Sequence, residues 1–390
     1  MNAEEIKTIT IVGAGDMGHG IAEICALAGL NVHLYDIEKA YVDKGTGRIK
    51  ASFEKMVSKG KMAAEEMDRA MGAIKGFTVL GDAVKETDFM IEAAPEILDL
   101  KIKIFKEADA HAPAHAILAS NTSNMSITKM GAATGRPDKV LGIHFFNPVM
   151  LMLLVEVIRG AGTSEETMKT SYDLVSRLKN FRGNMVPVRV EKDTPGFIYN
   201  RLGAPIGLFM ADLYEKGMVD PEAVDAKVRS IGAPMGPYEI MDFTGLDVNL
   251  HGNAYFAETL SPEFKPRSWM QRLVDEGNLG KKSGKGIFDW PDGARPTIDA
   301  AKADPDFDVT DIICLQVNEG TKLLEDGVTD SAAEIDKAVM NGGGSAFGPF
   351  ALAKGIGWDK VAERCEAISK RLGIQWFMPT EMLKQGKIEI

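Results

Sequence analysis

With 390 residues the chain is long enough for two or three domains, each with a core of its own. Hydrophobic residues make up 45% and charged residues 26%, as in ordinary globular proteins, and no run approaches the roughly 20 apolar residues of a membrane span. A formal charge of −11 argues against a nucleic-acid role for the whole chain. The three cysteines, Cys25, Cys314 and Cys365, lie far apart with neither metal-ligand nor disulfide spacing, so we expect no metal and a reducing compartment. The opening Met1-Asn2-Ala3-Glu4-Glu5 has no basic leader or apolar signal segment, which makes the cytoplasm the expected location.

Thr8 to Val12 is a short β-branched run and reads as a strand. The turn Gly13-Ala14-Gly15-Asp16-Met17-Gly18 follows, then a helical pattern through Ile21, Ile24, Cys25 and Ala28, then a second strand from Asn31 to Tyr35 that ends at Asp36. A Gly-x-Gly-x-x-Gly alone is weak evidence. Between a strand and a helix, with an acidic strand end eighteen residues after Gly18, it marks a dinucleotide site. Gly13 allows the tight turn, Gly15 lets the backbone approach a pyrophosphate, and Gly18 lets helix pack on strand. We read Gly13, Gly15, Asp16, Met17 and Gly18 as cofactor-binding. Asp36 should accept hydrogen bonds from the adenosine ribose and repel a 2′-phosphate, which favours NAD over NADP.

Between Lys39 and Lys61 seven basic residues accompany two acidic ones, in a chain that is acidic overall. Such a stripe is either a solvated helix face or a site for phosphates. Phe89 to Ala94, Ala116 to Ser120, Val140 to Phe146 and Leu153 to Ile158 read as further strands, with helical segments between most of them. That alternation predicts an α/β Rossmann-type domain, a mostly parallel sheet with helices on both faces. From Thr194 the Val- and Ile-rich strands give way to long amphipathic segments, which places a boundary near 185–195.

His144 ends a predicted strand, at the carboxyl edge where ligands bind in open α/β sheets, and Glu156 follows twelve positions later. An imidazole can take a proton, and a nearby carboxylate can hold the ring and stabilise its cation. With a dinucleotide site upstream, the pair points to an alcohol dehydrogenase of the acid–base type. His111 and His115 are separated by Pro113, which disfavours a helical metal face, and no further ligands cluster near them.

The tail repeats itself. Glu215-Lys216-Gly217, Asp225, Gly236-Pro237-Tyr238 and Gly245-Leu246-Asp247 recur as Glu325-Asp326-Gly327, Asp336, Gly348-Pro349-Phe350 and Gly357-Trp358-Asp359. The run Gly342-Gly343-Gly344 is therefore expected to be a turn of the second copy and not a phosphate site. Thr310 and Asp311 stand where the first copy has Asn200 and Arg201, so the second copy should be structural. The expected organisation is 1–192 Rossmann domain, 193–296 first helical domain and 297–390 second helical domain, the last two being tandem all-α copies.

The words Gly142-Ile143-His144-Phe145-Phe146-Asn147-Pro148, then Leu154-Val155-Glu156-Val157-Ile158, together with Glu92-Ala93-Ala94-Pro95-Glu96 and Ser120-Asn121-Thr122-Ser123, resemble the L-3-hydroxyacyl-CoA dehydrogenase family. The resemblance covers nearly the whole chain. It implies NAD as cofactor and an acyl-CoA thioester as substrate, oxidised at its (S)-3-hydroxyl by His144 and Glu156. It places Glu96, Lys101 and Asn147 beside the nicotinamide, Ser123 beside both nicotinamide and substrate, and Asn200 against His144 and substrate. It makes Leu279 to Phe288 a closing loop whose Lys282 approaches the cofactor. It puts coenzyme A on a helical hairpin, at Ser52 and Lys59. Single-copy members dimerise through the helical domain, so a tandem chain is expected to be a monomer with an intrachain pseudo-dimer, or a homodimer through another surface. No nucleic acid or membrane partner is expected. Met150, Leu153 and Leu208-Phe209-Met210 depart from the family pattern, which bears on acyl preference and domain contacts. The rival readings are a dehydrogenase of the 3-hydroxyisobutyrate or 6-phosphogluconate type, which uses a lysine in its helical domain, and a non-catalytic crystallin-like relative.

Overall fold

A computed structural model of the protein describes residues 1–389. It divides into two compact units, Met1–Tyr199 with Asp326–Gly348, and Asn200–Glu325 with the chain from Pro349 on.

The first unit is built on β1 (Thr8–Val12), α1 (Asp16–Leu27), β2 (Asn31–Tyr35), α2 (Lys39–Ser58), α3 (Ala64–Gly72), β3 (Ile74–Phe77), α4 (Leu80–Val84), β4 (Phe89–Glu92), α5 (Leu98–His111), β5 (Ile117–Ser120), α6 (Ile127–Ala132), β6 (Val140–Phe145), β7 (Leu154–Arg159), α7 (Glu165–Arg177), a small β8–β9 ribbon (Lys179–Asn180, Gly183–Asn184) and β10 (Val186–Val190). The strands form an eight-stranded sheet in the order β10-β7-β6-β5-β4-β1-β2-β3, parallel except for the antiparallel β6–β7 pair. β4, β5 and β6 are buried along their whole length, which is why they read as unbroken apolar runs and not as alternating ones. The chain direction across the sheet reverses between β1 and β4, and the carboxyl ends of these strands form the crevice where open α/β sheets take ligands. The expected strands all form, with no end moved by more than two residues. β3 and β10 lie at the edges. Gly76 weakens the strand pattern of the first, and Pro187 is tolerated in the second because an edge strand can forgo a ladder donor.

The helix α14 (Ala332–Gly343) also belongs to this unit, packed on β7 and β10. The glycines expected to be a turn are its end. A Cβ on Gly342 would meet the Tyr199 ring at 2.7 Å, and Gly344 is the left-handed cap with φ +68°.

The second unit is helical, with α8 (Tyr199–Glu215) leading into it, then α9 (Pro221–Ser230), α10 (Pro237–Thr244), α11 (Leu246–Thr259), α12 (Ser268–Asp275), α13 (Thr310–Glu325), α15 (Pro349–Ile356), α16 (Trp358–Leu372) and α17 (Glu381–Gln385). The repeated words adopt repeated geometry. Gly217 and Gly327 take φ +62° and +67°, and Gly245 and Gly357 take φ +103° and +98°. A Cβ on Gly236 would lie 2.2 Å from the Asp225 carboxyl carbon, and one on Gly348 2.1 Å from that of Asp336. In both copies the Asp thus lies against the glycine that opens the next helix. In the first copy its oxygens accept the Tyr238 and Glu239 amides at 3.0 and 2.7 Å. Among the described residues no helix is long and apolar enough to cross a membrane.

Candidate active site

The glycine turn between β1 and α1 takes its shape from close backbone approaches. Gly13 has φ +106°, and a Cβ there would lie 2.7 Å from the Ala93 carbonyl oxygen; one on Gly18 would lie 1.7 Å from that of Gly13. Gly15 differs: an added Cβ would meet nothing within 4 Å, so its backbone faces open space at the start of α1, as a pyrophosphate requires. Asp36 ties the turn to the end of β2, accepting the Ala14 amide on Oδ2 and the Ile37 amide on Oδ1, both at 2.8 Å. It does not cap α2, whose N-cap is Glu38. Each Asp36 oxygen keeps a lone pair for a ribose hydroxyl. Asp16 opens α1 and pairs with Arg48 of α2 at 2.6 Å; Met17 beside it is half-buried. The turn therefore fits a dinucleotide.

His144 and Glu156 stand directly opposite one another in the antiparallel β6–β7 ladder, so their side chains leave the same face. Their separation of twelve positions is the length of one strand–turn–strand excursion. His144 Nδ1 lies 2.7 Å from Glu156 Oε2, and His144 Nε2 lies 3.0 Å from Ser123 Oγ. An ionised carboxylate can only accept, so Nδ1 carries the proton and Nε2 keeps its lone pair, toward which the Ser123 hydroxyl donates. Glu156 is completely buried. Its second oxygen accepts the amides of Ile198 and Tyr199 at 3.0 and 2.8 Å. Those amides are aimed by the turn at Gly196-Phe197, where both residues have positive φ, +75° and +51°. For buried Phe197 that is a sparsely populated conformation, held by its surroundings. The rings of Phe146 and Phe197 lie 4.3 and 5.7 Å from the imidazole and shield the pair from water.

A second cluster joins the ends of β4 and β5. Lys101 of α5 is buried, with Nζ 2.7 Å from Glu92 Oε1, 3.1 Å from Glu96 Oε2 and 3.1 Å from the Ala94 carbonyl. Glu92 also accepts Ser120 Oγ and the Ala94 amide, each at 2.6 Å. Glu96 accepts the Thr122 hydroxyl and the amides of Ser123 and Asn124 at 3.0 and 3.2 Å. The cluster thereby fixes the turn that carries Ser123. Sequence reasoning singled out Glu96 and Lys101 but passed over Glu92. The available signal was a lone acidic residue ending the otherwise apolar strand Phe-Met-Ile-Glu at the sheet's carboxyl edge. Asn121 was passed over too; its side chain accepts the Phe145 amide at 2.8 Å and ties β5 to β6.

Asn147 is exposed just after β6, at a cis bond to Pro148. Asn200 and Lys282 belong to the second unit, where Asn200 is half-buried on α8 and Lys282 pairs with Asp247 at 2.5 Å. Lys59 is exposed at the end of α2. Ser52 turns inward and donates to buried Glu23 at 2.6 Å. Burial pushes the Glu23 carboxyl up to about 7, partly offset by Ser52. The unfolded chain ionises near 4.5 and the folded chain near 7, so this group lowers stability as pH rises across that window. Glu23→Gln should therefore be more stable than the parent by about 1–3 kcal/mol above pH 7, with no gain below pH 4.5, in urea unfolding at both ends.

Known proteins resemble the chain over most of its length. The family model described as 3-hydroxyacyl-CoA dehydrogenase, NAD binding domain matches residues 8–194, and that for the C-terminal domain matches 196–290 and 307–387. A probable 3-hydroxybutyryl-CoA dehydrogenase of Bacillus subtilis is 39% identical over 289 residues, 73% of this chain and 98% of that protein. The fatty acid oxidation complex subunit alpha of a Psychrobacter species is 36% identical over 389 residues, 94% of this chain; the chain spans 53% of that relative's length. The solved structure of 3-hydroxybutyryl-CoA dehydrogenase from Escherichia coli superposes with a TM-score of 0.88 at 27% identity, covering 98% of both chains. The chain belongs to the 3-hydroxyacyl-CoA dehydrogenase family and carries that family's NAD-binding oxidoreductase domain.

Proposed function

We propose that the chain catalyses the reversible oxidation of (S)-3-hydroxyacyl-CoA to 3-ketoacyl-CoA with NAD, in the cytoplasm. The observation that carries this reading is His144, whose Nε2 lone pair is free of the carboxylate and aimed at the Ser123 hydroxyl. Bound NAD supplies the hydride acceptor, and NADH the donor. In oxidation His144 Nε2 takes the 3-hydroxyl proton as the hydride departs, and in reduction it returns that proton to the 3-keto oxygen. Glu156 keeps the proton on Nδ1 in the resting state and stabilises the imidazolium that forms. Ser123 can turn its hydroxyl from Nε2 to the substrate oxygen. Glu96, Lys101, Asn147 and Lys282 toward the cofactor, Asn200 toward the substrate, and Ser52 and Lys59 toward coenzyme A complete the proposal. So do the division at 192/193 and 296/297 and a monomeric chain in which one helical copy covers the other. The deciding experiment is NADH oxidation by the purified protein across acetoacetyl-CoA and longer 3-ketoacyl-CoAs. Turnover with none of them would overturn the reading.

Two variants probe the ligand assignments. Asp36→Ala should weaken NADH binding and narrow its advantage over NADPH, because ribose hydrogen bonds and repulsion toward a 2′-phosphate are both lost. The kcat/KM ratio for the two cofactors measures this, and an unchanged ratio removes Asp36 as the selector. Lys59→Ala should raise KM for acetoacetyl-CoA but not for a truncated thioester without the nucleotide, and the difference should shrink with salt. Equal effects on both substrates would place coenzyme A elsewhere.

A further inference from the structure

The Glu92–Lys101–Glu96 cluster lies at the strand ends where the sheet order reverses. Glu92 is in register with Val12 of β1 and Ser120 of β5. It is completely buried, and Lys101 is 1% exposed. Three donors hold the Glu92 carboxylate: the Lys101 ammonium, the Ala94 amide and the Ser120 hydroxyl. Burial pushes the Glu92 carboxyl up, while the ammonium and these donors pull it back, an acceptor set suited to the ionised form. Two carboxylates and one ammonium leave one net negative charge; solvent screens Glu92 and Lys101 weakly, and Glu96, 38% exposed, more.

Through Glu96 the cluster holds the Ser123 turn, and Ser123 touches the His144 nitrogen that handles the substrate proton. The carbon that loses hydride bears the oxygen whose proton His144 handles, so a nicotinamide accepting the hydride must lie close to the same turn. Its ring is cationic in the oxidised cofactor and neutral in the reduced one. We infer that the Glu92–Lys101–Glu96 triad, through its net negative charge, sets the relative affinity of the site for NAD+ over NADH. This rests on the dehydrogenase reading above and goes beyond it, because it makes Glu92 a positioning residue with an electrostatic duty. The triad holds Ser123 in place and biases the site toward the oxidised cofactor.

The test is the dissociation constant of NAD+ and of NADH, each by calorimetry at one ionic strength, for the parent and three variants. Glu92→Gln keeps the shape and leaves Lys101 and Glu96 as a neutral pair. The ratio Kd(NAD+)/Kd(NADH) should rise on the order of tenfold, the scale of one poorly screened charge nearby. Glu96→Gln removes the same charge from a residue 38% exposed, so it guards against a folding defect in the buried variant, and it should move the ratio the same way. The double variant Glu92→Gln/Lys101→Met restores one net negative charge through Glu96. Its ratio should return toward the parent value even where both affinities are weaker. If both single variants weaken NAD+ and NADH by one common factor, or the double variant keeps the shifted ratio, the inference is overturned and the dehydrogenase reading stands. If the parent binds neither form, both fall.

Discussion

His144→Gln should lower kcat by about 10²–10⁴ while leaving NADH affinity close to that of the parent. Glutamine can imitate both contacts of the imidazole. Its amide nitrogen can donate to Glu156 and its oxygen can accept from Ser123, the two partners His144 holds at 2.7 and 3.0 Å. What it cannot do is take and return a proton near neutral pH, so the variant isolates that one property. Cofactor affinity should survive because the glycine turn and Asp36 lie between β1 and α1 and at the end of β2, while His144 is on β6. Single-turnover reduction of acetoacetyl-CoA, with NADH binding followed by fluorescence, separates the two quantities. Near-normal turnover would remove His144 as the proton carrier. A parallel collapse of NADH binding would show that the substitution disturbs more than chemistry.

Much of the first unit was legible in the chain because its signals are local. The runs Thr8 to Val12 and Val140 to Phe145 are short, apolar and bounded, and the glycine turn sits where a strand hands over to a helix. The pairing of His144 with Glu156 was legible from family-like words. Its physical cause, an antiparallel β6–β7 hairpin inside a parallel sheet, was not, since register depends on tertiary partners. Glu92 illustrates the limit. A buried carboxylate needs donors or a cation to offset its desolvation, and the cation beside Glu92, Lys101, lies nine positions on, on another element. Ser52 shows the same limit. Nothing local shows that its hydroxyl turns inward to Glu23, a contact between helices 29 residues apart in sequence. The placement of α14 with the first unit was equally hidden, because an amphipathic pattern states that a helix has an apolar face and not which surface covers it. Positive φ at Phe197 had no signal at all, as residue type there argues against it.

Glu319→Ala should destabilise the protein by about 3–5 kcal/mol, the usual cost of removing one member of a buried ion pair. Glu319 on α13 and Arg201 on α8 are 1% and 3% exposed, with Arg201 Nε 2.5 Å from Oε1. Its Oε2 accepts from Lys322 Nζ at 3.0 Å and from the Trp376 indole at 2.7 Å. Lys322 lies 3.9 Å above that indole ring and also donates to the Trp376 carbonyl. The carboxylate thus pairs with buried Arg201 and with Lys322, 17% exposed, and its loss strands both with an indole donor beside them. The stranded charge has a pH signature. Burial already lowers the Lys322 pKa, with Glu319 drawing it back up, so the variant's Lys322 should lose its proton at a lower pH than the parent's. Between that lowered value and the ordinary 10.5 the unfolded chain binds more protons than the folded one, and stability therefore rises with pH. The deficit of the variant should narrow as the solution is made alkaline. Replacing all three partners by apolar side chains, Arg201→Met/Glu319→Leu/Lys322→Met, should cost less than Glu319→Ala alone, because no uncompensated charge remains. Urea unfolding of the parent and both variants at pH 7 and pH 9 gives the comparison. A deficit under about 1 kcal/mol for Glu319→Ala, or one equal at both pH values, would mean that water reaches this cluster and that the helices are held by apolar packing alone.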